Sequence, residues 1–401
     1  MLLLVNTLAL HYFINMPVTT TVTGVQYSGI WTMQQVNAAI AAGTWPVAGA
    51  GYLYSWGKNF SGQLGLSNTT NYSSPKQVGL LATWLKLSNS GNSALSIKGD
   101  NTLWAWGKND FGQLGLGNTT NYSSPKQIGS LSNWLSITNC YISSLAIKND
   151  GTLWAWGKND FGQLGLGNTT NYSSPKQVGA LTTWLLISGG NYHVGAIKTD
   201  GSLWSWGRGT DGRLGLNNAT YYSSPKQVGA LTTWSNISCG RNFTLAIKTD
   251  GTLWAWGNNL NGQLGLGNLT YYSSPKQVGI LTNWSNINNK FAIYSLAVKT
   301  DKTLWSWGQN ASGQLGLGNT TYYSSPKQVG ALTTWNSIII SSGASLAIKT
   351  NNTLWAWGPS TYGILGLNNA TAYSSPKQVG SLTTWLTVAG GGYTALAIAT
   401  T

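Results

Sequence analysis

Apolar and polar positions over residues 51–401 repeat as one pattern about fifty residues long. The block Leu-(Trp/Tyr)-(Ala/Ser)-Trp-Gly returns at Leu53, Leu103, Leu153, Leu203, Leu253, Leu304 and Leu354, a spacing of 50 with one insertion. Within one unit, Leu135–Cys140, Ser144–Lys148 and Thr152–Trp156 have the length and composition of strands. Alternation in the third places Trp154 and Trp156 on one side and Leu153 and Ala155 on the other. Asn149-Asp150-Gly151, between the second and third runs, reads as a tight primed hairpin turn, because Asp-Gly tolerates positive φ. A glycine-rich excursion through Gly162-Gln163-Leu164-Gly165-Leu166 follows, and Ser174–Val178 returns as a fourth strand. Pro175 cannot donate a ladder hydrogen bond, which puts this strand at an outer edge.

A fixed period of this length means identical units that bury their apolar faces against their neighbours. A four-stranded meander repeated around an axis is a propeller blade. The expected fold is therefore all-β: a seven-bladed β-propeller of four-stranded blades over residues 51–401, with indoles of one blade fitted against small residues of the next. The chain enters the repeat at a third strand (Leu53–Trp56) and leaves at a second strand (Ala395–Ile398). One blade then takes two strands from each terminus, and that pairing closes the ring.

Residues 1–50 are of another kind, since no charged residue precedes Lys58. A short helix is expected over about 32–43, with Met33, Val36 and Ile40 on one stripe and Gly43 as its stop, flanked by Trp31 and Trp45. An uncharged, partly helical extension reads as an attachment segment. Met1–Val5 resembles a secretory start but lacks a basic region and is too short to span a bilayer, and Met16 is an alternative start.

Composition agrees with a scaffold: 51 Gly, 22 Trp and 19 Tyr, 7% charged residues and no Glu. The histidines are His11 and His193, no Cys/His cluster has metal-ligand spacing, and the Gly162–Gly167 loop lacks the Lys-(Ser/Thr) of a phosphate loop. No catalytic residue, cofactor or metal is expected. Cys140 and Cys239 lie two units apart, so no disulfide is expected. The Asn-x-Thr triplets at Asn68, Asn118, Asn168, Asn218, Asn268, Asn319 and Asn369 read as turn residues. The net charge of +14 divides by position. Lys98, Lys148, Lys198, Lys248, Lys299 and Lys349 end second strands, most of them two residues from an offsetting turn Asp. Lys76, Lys126, Lys176, Lys226, Lys276, Lys327 and Lys377 form an unopposed belt on the edge strands, read as protection against strand pairing rather than as a site for nucleic acid or acidic glycans.

The stretch Trp106-Gly-Lys-Asn-Asp-Phe-Gly-Gln-Leu-Gly-Leu-Gly117 resembles the mark of the regulator of chromosome condensation repeat family, with variants in all seven units covering about 350 residues. The resemblance implies the seven-bladed fold, but members exchange nucleotide on a small GTPase, bind chromatin, inhibit enzymes or sense ultraviolet light, so it leaves the function open. Exchange would call for an inserted wedge and acidic contacts. Here every Asp belongs to a repeated turn (Asp100, Asp150, Asp200, Asp250, Asp301) or to a third-to-fourth-strand loop (Asp110, Asp160, Asp211). The photoreceptor's Gly-Trp-Arg-His-Thr repeats are replaced by Ser188–His193 and Ser238–Phe243. The resemblance also implies that His193 packs between blades.

Departures from the repeat gather in two connections that share one face: Phe60, Phe111, Arg208, Leu260 and Tyr362 in one, and Tyr141, Tyr192, His193, Arg241, Phe243, Lys290, Phe291 and Tyr393 in the other. That face is the candidate partner surface, since scaffold demands are equal in every blade. Gly29-Ile30-Trp31 through Gly43-Thr44-Trp45-Pro46 resembles short segments of tailed-phage virion proteins. The function expected is a non-enzymatic virion component, a tail-fibre, receptor-binding or capsid-associated protein. It would bind other virion subunits through residues 1–46, and a protein or host-surface ligand through the propeller face. The alternatives are a cytoplasmic or nuclear regulator binding chromatin or a small GTPase, and a secreted lectin or enzyme inhibitor.

Overall fold

Each unit folds into one antiparallel sheet of four strands, and seven such sheets form blades I to VII, beginning at Trp84, Trp134, Trp184, Trp234, Trp284, Trp335 and Trp385. The computed structural model describes residues 50–341 and 343–400; the expected helix and Trp31, Met33, Val36, Ile40 and Trp45 lie outside them. In blade II the strands are Trp134–Asn139, Ser143–Lys148, Leu153–Gly157 and Tyr172–Gln177. First strands of successive blades contact one another around the axis, so fourth strands lie outermost. Pro175 sits in a register break between Tyr172 and Lys176, on the unpaired edge where its missing N–H does no harm.

The hairpin turn differs from the primed form. Gly151 alone has positive φ (+76°), its N–H donates to the Lys148 carbonyl (3.0 Å), and Lys148 N–H donates to the Thr152 carbonyl (3.0 Å). This is a three-residue loop with glycine at the left-handed bulge position. Its Asp is fixed by a local requirement: the Asp150 carboxylate accepts from both the N–H and the hydroxyl of Thr152, and Thr152 Oγ1 in turn accepts from Trp154 Nε1 (2.9 Å). The carboxylate is therefore not the lysine's direct partner. Lys148 Nζ lies 3.9 Å from the ring centroid of Trp154 and 5.0 Å from that of Trp134, a cation–π sandwich repeated at the other second-strand lysines.

Blade seams are built on the third-strand indoles. Trp156 is fully buried among Leu95, Ile97, Leu103 and Ala105 of blade I, and packs edge-to-face on Trp134. Its Nε1–H donates to the Gln113 carbonyl of blade I (3.0 Å), and a Cβ added at Gly115 would come within 2.7 Å of that nitrogen. The expected fit of indoles against small residues is therefore met by backbone as much as by side chains. Asn109 holds the loop in place: its Oδ1 accepts from Leu114 N–H (2.8 Å) and its Nδ2 donates to the Asn118 carbonyl (2.9 Å). Asn118 Oδ1 accepts from Thr120 N–H, the turn role expected of the Asn-x-Thr triplets.

A second set of links runs round the axis. Ser88 Oγ accepts from Asn139 N–H (2.9 Å), Thr138 Oγ1 from Gly189 (3.1 Å), Ser188 Oγ from Cys239 (2.9 Å), and Ser238 Oγ from Asn289 (3.1 Å). Asn288 Oδ1 accepts from Ile340 (3.1 Å) and Ser341 Oγ from Gly391 (3.1 Å). Between blades VII and I, Asn89 Nδ2 donates to the Thr394 carbonyl (3.0 Å). Blade VII closes the ring as expected, its sheet running from Trp385–Gly391 through Thr394–Ala399 to Tyr52–Gly57 and Tyr72–Gln77.

Two measurements test this account. Gly115→Ala combines left-handed strain with displacement of the Trp156 indole and should cost about 2–4 kcal/mol in chemical denaturation. Gly117→Asn should cost less than about 1 kcal/mol, because Asn217 fills the equivalent slot at φ +61°. Deleting residues 394–401 removes the strand between the two halves of blade VII, so the single cooperative melting transition should be lost; an unchanged transition would contradict the closure.

Candidate functional site

First-to-second and third-to-fourth connections meet at one end of the ring, joined by backbone bonds such as Lys158 N–H to the Ile142 carbonyl (3.1 Å) and Arg208 N–H to the Tyr192 carbonyl (2.8 Å). This end, called here the top face, carries the candidate residues unequally. Phe60, Tyr141, Arg241, Leu260, Tyr362 and Tyr393 are exposed, and Phe111, Tyr192, Arg208 and Lys290 are half-buried. His193, Phe243 and Phe291 are buried and are removed from the surface. His193 and Phe243 open second strands, where the side chain turns into the seam beneath Gly190 and Gly240, whose missing Cβ atoms leave the room. His193 Nε2 pairs with Thr244 Oγ1 of the next blade (3.1 Å), and burial, then Arg213, holds its pKa well below the usual histidine value. A neutral, sealed imidazole serves the seam and not a reaction at the surface.

The exposed residues form two unlike regions. Over blades VI to III, cations of one blade cover aromatic rings of the preceding one: Lys58 over Tyr362 (5.9 Å), Lys158 over Phe111 (4.4 Å) and Arg208 over Phe161 (5.1 Å). Edge-to-face contacts extend the collar through Phe60–Tyr362–Tyr393 and through Tyr141–Tyr192–Phe161–Tyr221, with centroids 5.1–6.1 Å apart. The rings are thereby held rigid, which lowers the entropy lost when a partner packs on them.

Over blades III to V the face is cationic. Arg213 is buried, its pKa lowered to about 10 mainly by burial, and it donates to Asp211 Oδ2 (3.0 Å), the Thr210 carbonyl (2.8 Å) and the Arg241 carbonyl (3.4 Å). Arg241 N–H reaches the Ala292 carbonyl (3.1 Å), in the first-to-second connection of blade V, where Phe291 adopts φ +57°. From that connection Lys290 crosses the axis and donates to Ser88 Oγ of blade I (2.9 Å). Burial lowers its pKa to about 8. Among the described residues the ion pairs are Lys108–Asp110, Lys158–Asp160 and Arg213–Asp211, so every top-face Asp is already taken. No group of three or more His, Cys, Asp or Glu among the described residues could hold a metal ion, and no helix there is long and apolar enough to cross a membrane.

Residues 38–294 match the model of the RCC1-like domain, and 301–348 and 351–398 each match the regulator of chromosome condensation (RCC1) repeat. The chain belongs to the RCC1-like domain family. The RCC1-like propeller is similar in fold to Prp20p of Saccharomyces cerevisiae, a structure described with binding to Gsp1p and histones (21% identity, TM-score 0.78, covering 88% of this chain and 92% of that one). It is likewise similar to human WBSCR16 (18%, 0.78, 88% and 99%) and to yeast RCC1 bound to Kap60 (20%, 0.78, 96% and 97%). A comparison with curated proteins finds no match. These findings overturn the expectation of a phage virion component: the family models are those of RCC1-type propellers and the structural neighbours named above are cellular proteins. The segment 1–46, offered as the attachment to other virion subunits, lies wholly outside the described residues, and the sequence match to the family model begins within it at residue 38.

Sequence reasoning passed over several top-face residues of this RCC1-like chain. Phe161 and Lys158 copy Phe111 and Lys108 and so did not register as departures, although they anchor the collar. Tyr221, Tyr271 and Tyr322 replace Asn71, Asn121 and Asn171, whose amides accept from the backbone of Asn59, Asn109 and Asn159, and all three tyrosines are exposed. That substitution was a readable signal. On the opposite face, leucines at one slot of every unit (Leu81, Leu131, Leu181, Leu231, Leu281, Leu332 and Leu382) are exposed, and their uniformity marks a scaffold feature.

The lowered pKa of Lys290 has a sign. Between about 8 and the ordinary lysine value, the unfolded chain binds the proton and the folded chain does not, so this residue makes stability rise with pH through that window. Lys290→Met should be more stable than wild type in denaturation at pH 7, with the difference shrinking by pH 10. A constant difference would show that the ammonium is not desolvated.

Proposed function

We propose that this chain is a cytoplasmic or nuclear regulator of the RCC1 type, acting by binding a protein partner through the top face without acid–base chemistry of its own. One observation carries the reading. Departures from a near-verbatim repeat concentrate on that face, beside clusters of edge-packed aromatic rings and a cationic sector, which is the composition of protein interface hot spots. The lysine belt is a weaker candidate, since each ammonium sits 5.4–5.7 Å from a tyrosine ring of its own edge strand, in the same arrangement on every blade.

Gsp1p and histones, the partners named for the yeast propeller, are the first to assay by interferometry. Binding of at least one is expected. Phe161→Ser with Tyr192→Ser should weaken it at least tenfold, about 1.4 kcal/mol or more, whereas Leu131→Ser with Leu181→Ser on the opposite face should leave it unchanged. Loss with the leucine variant alone would place the partner on the wrong face.

A further inference from the structure

All three arginines of the chain, Arg208, Arg213 and Arg241, lie on the top face within residues 208–241. The repeat gives no reason for them. Equivalent slots hold Lys58, Lys108 and Lys158 for the first, Gln63, Gln113 and Gln163 for the second, and Gly91, Tyr141 and Asn191 for the third. Arg213 is spent internally on Asp211 and on the backbone of Thr210 and Arg241, so it braces the turn that presents Arg241 to solvent. Arg208 is steadied by Thr210 and by the rings of Phe161 and Tyr192. The Arg241 turn is bonded to the loop that carries Lys290 to the axis. Arg208 and Arg241 thus stand in one sector over blades III and IV, and Lys290 leads from blade V to the axis, all three without a carboxylate partner among the described residues. Gathering like charges is unfavourable unless something offsets it.

We propose that this sector receives an acidic, extended segment of a protein partner, whose carboxylates pair with Arg208 and Arg241 and whose end reaches Lys290 where it crosses the axis. The proposal rests on the reading of the top face as the partner surface and adds the chemistry of what binds there. Charge complementarity carries it, together with the choice of arginine, whose planar fork matches a carboxylate in two parallel hydrogen bonds where lysine offers a point charge. Nucleic acid suits the sector less well. Phe161 and Tyr192 beside it are packed edge-to-face on one another and lie under Arg208, so the faces nearest the arginines are taken up and not open for base stacking.

The test uses the full chain, a labelled peptide of alternating Glu and Gly, and a labelled single-stranded oligonucleotide of equal charge, each followed by fluorescence anisotropy. The peptide should bind wild type and lose at least about tenfold in affinity in the variant Arg208→Gln, Arg241→Gln, Lys290→Met. It should change less than about twofold in the belt variant Lys126→Gln, Lys176→Gln, Lys226→Gln. No peptide binding, equal binding by the sector variant, or loss in the belt variant overturns the proposal. So does an oligonucleotide that binds more tightly than the peptide and depends on the sector. If the triple variant melts early, Arg241→Glu alone, at an exposed side chain, is read in its place and should also weaken the peptide. A chain that binds Gsp1p or histones through Phe161 and Tyr192 but ignores the peptide refutes this inference and leaves the proposed function standing. Binding of neither partner with the peptide still bound removes the regulator reading alone.

Discussion

The seating of each third-strand indole on the backbone of the preceding blade governs the rest of the molecule. Trp156 needs a carbonyl for its N–H and a flat floor for its ring, and Gln113 and Gly115 supply them at 3.0 Å and without a Cβ. The same pairing recurs from Trp106 on Gln63 round to Trp56 on Ile364. Where Gln is replaced by Arg213 or Ile364 the bond survives, because the acceptor is the main chain. The slot's side chain is thus free to change, and Arg213 occupies it as a buried brace beneath the top face. The glycine was not free, since any side chain there would strike the indole.

That division between fixed and free positions organises the functional face. Seams and bottom turns bind the scaffold through groups repeated nearly unchanged, the axial ring through polar side chains that vary among Ser, Thr and Asn, and the top connections carry the remainder. Even there the scaffold claims part of the variation. His193, Phe243 and Tyr294 differ from Ser93 and Ser143 yet are buried, with Gly190 and Gly240 making room for the first two and Ser345 Oγ accepting or donating the bond of the Tyr294 hydroxyl (2.9 Å). Variation at those slots is compensated packing. Variation at Arg208 and Tyr221 is shared at the surface, where both bond Thr210 Oγ1 and pack on Phe161, while the Arg241 side chain is left exposed.

The architecture was legible because its signals are local and repeated. Period, strand order, ring closure and the edge position of Pro175 all follow from one unit read seven times. The hairpin turn was misjudged because its conformation depends on Asp150 accepting from Thr152, a bond the Asp-Gly pair alone does not reveal. The axial links from Ser88 to Ser341 were invisible because donor and acceptor lie 50–52 residues apart in sequence. The candidate face was found, but its membership was blurred. Divergence between copies detects change without telling whether the changed side chain points outward, and it overlooks Phe161, which matters while matching its neighbour. Function was misassigned through a resemblance of some twenty residues outside the repeat, when about 350 residues within it pointed to the RCC1 family.

Net charge illustrates why position outweighs composition. A value of +14 suggests a polyanion-binding surface, yet the cations are consumed in different ways. Second-strand lysines lie between two indoles, where burial lowers the pKa of Lys98, Lys148, Lys198, Lys299 and Lys349 against the pull of the turn Asp in all but the last. Those ammonium groups are part of the seam. Belt lysines flank tyrosines on the outer strands and keep a bare sheet edge soluble at seven equivalent places, giving no preferred point of contact. Lys108 and Lys158 are paired with aspartates. Once these are set aside, together with Lys86, bonded to the Leu135 carbonyl, Lys302 in a bottom turn and the internally paired Arg213, the charge able to distinguish one partner from another reduces to Lys58 in the collar and to Arg208, Arg241 and Lys290. Arg208 and Arg241 stand together in one sector of the top face, and the loop bonded to the Arg241 turn carries Lys290 from there to the axis.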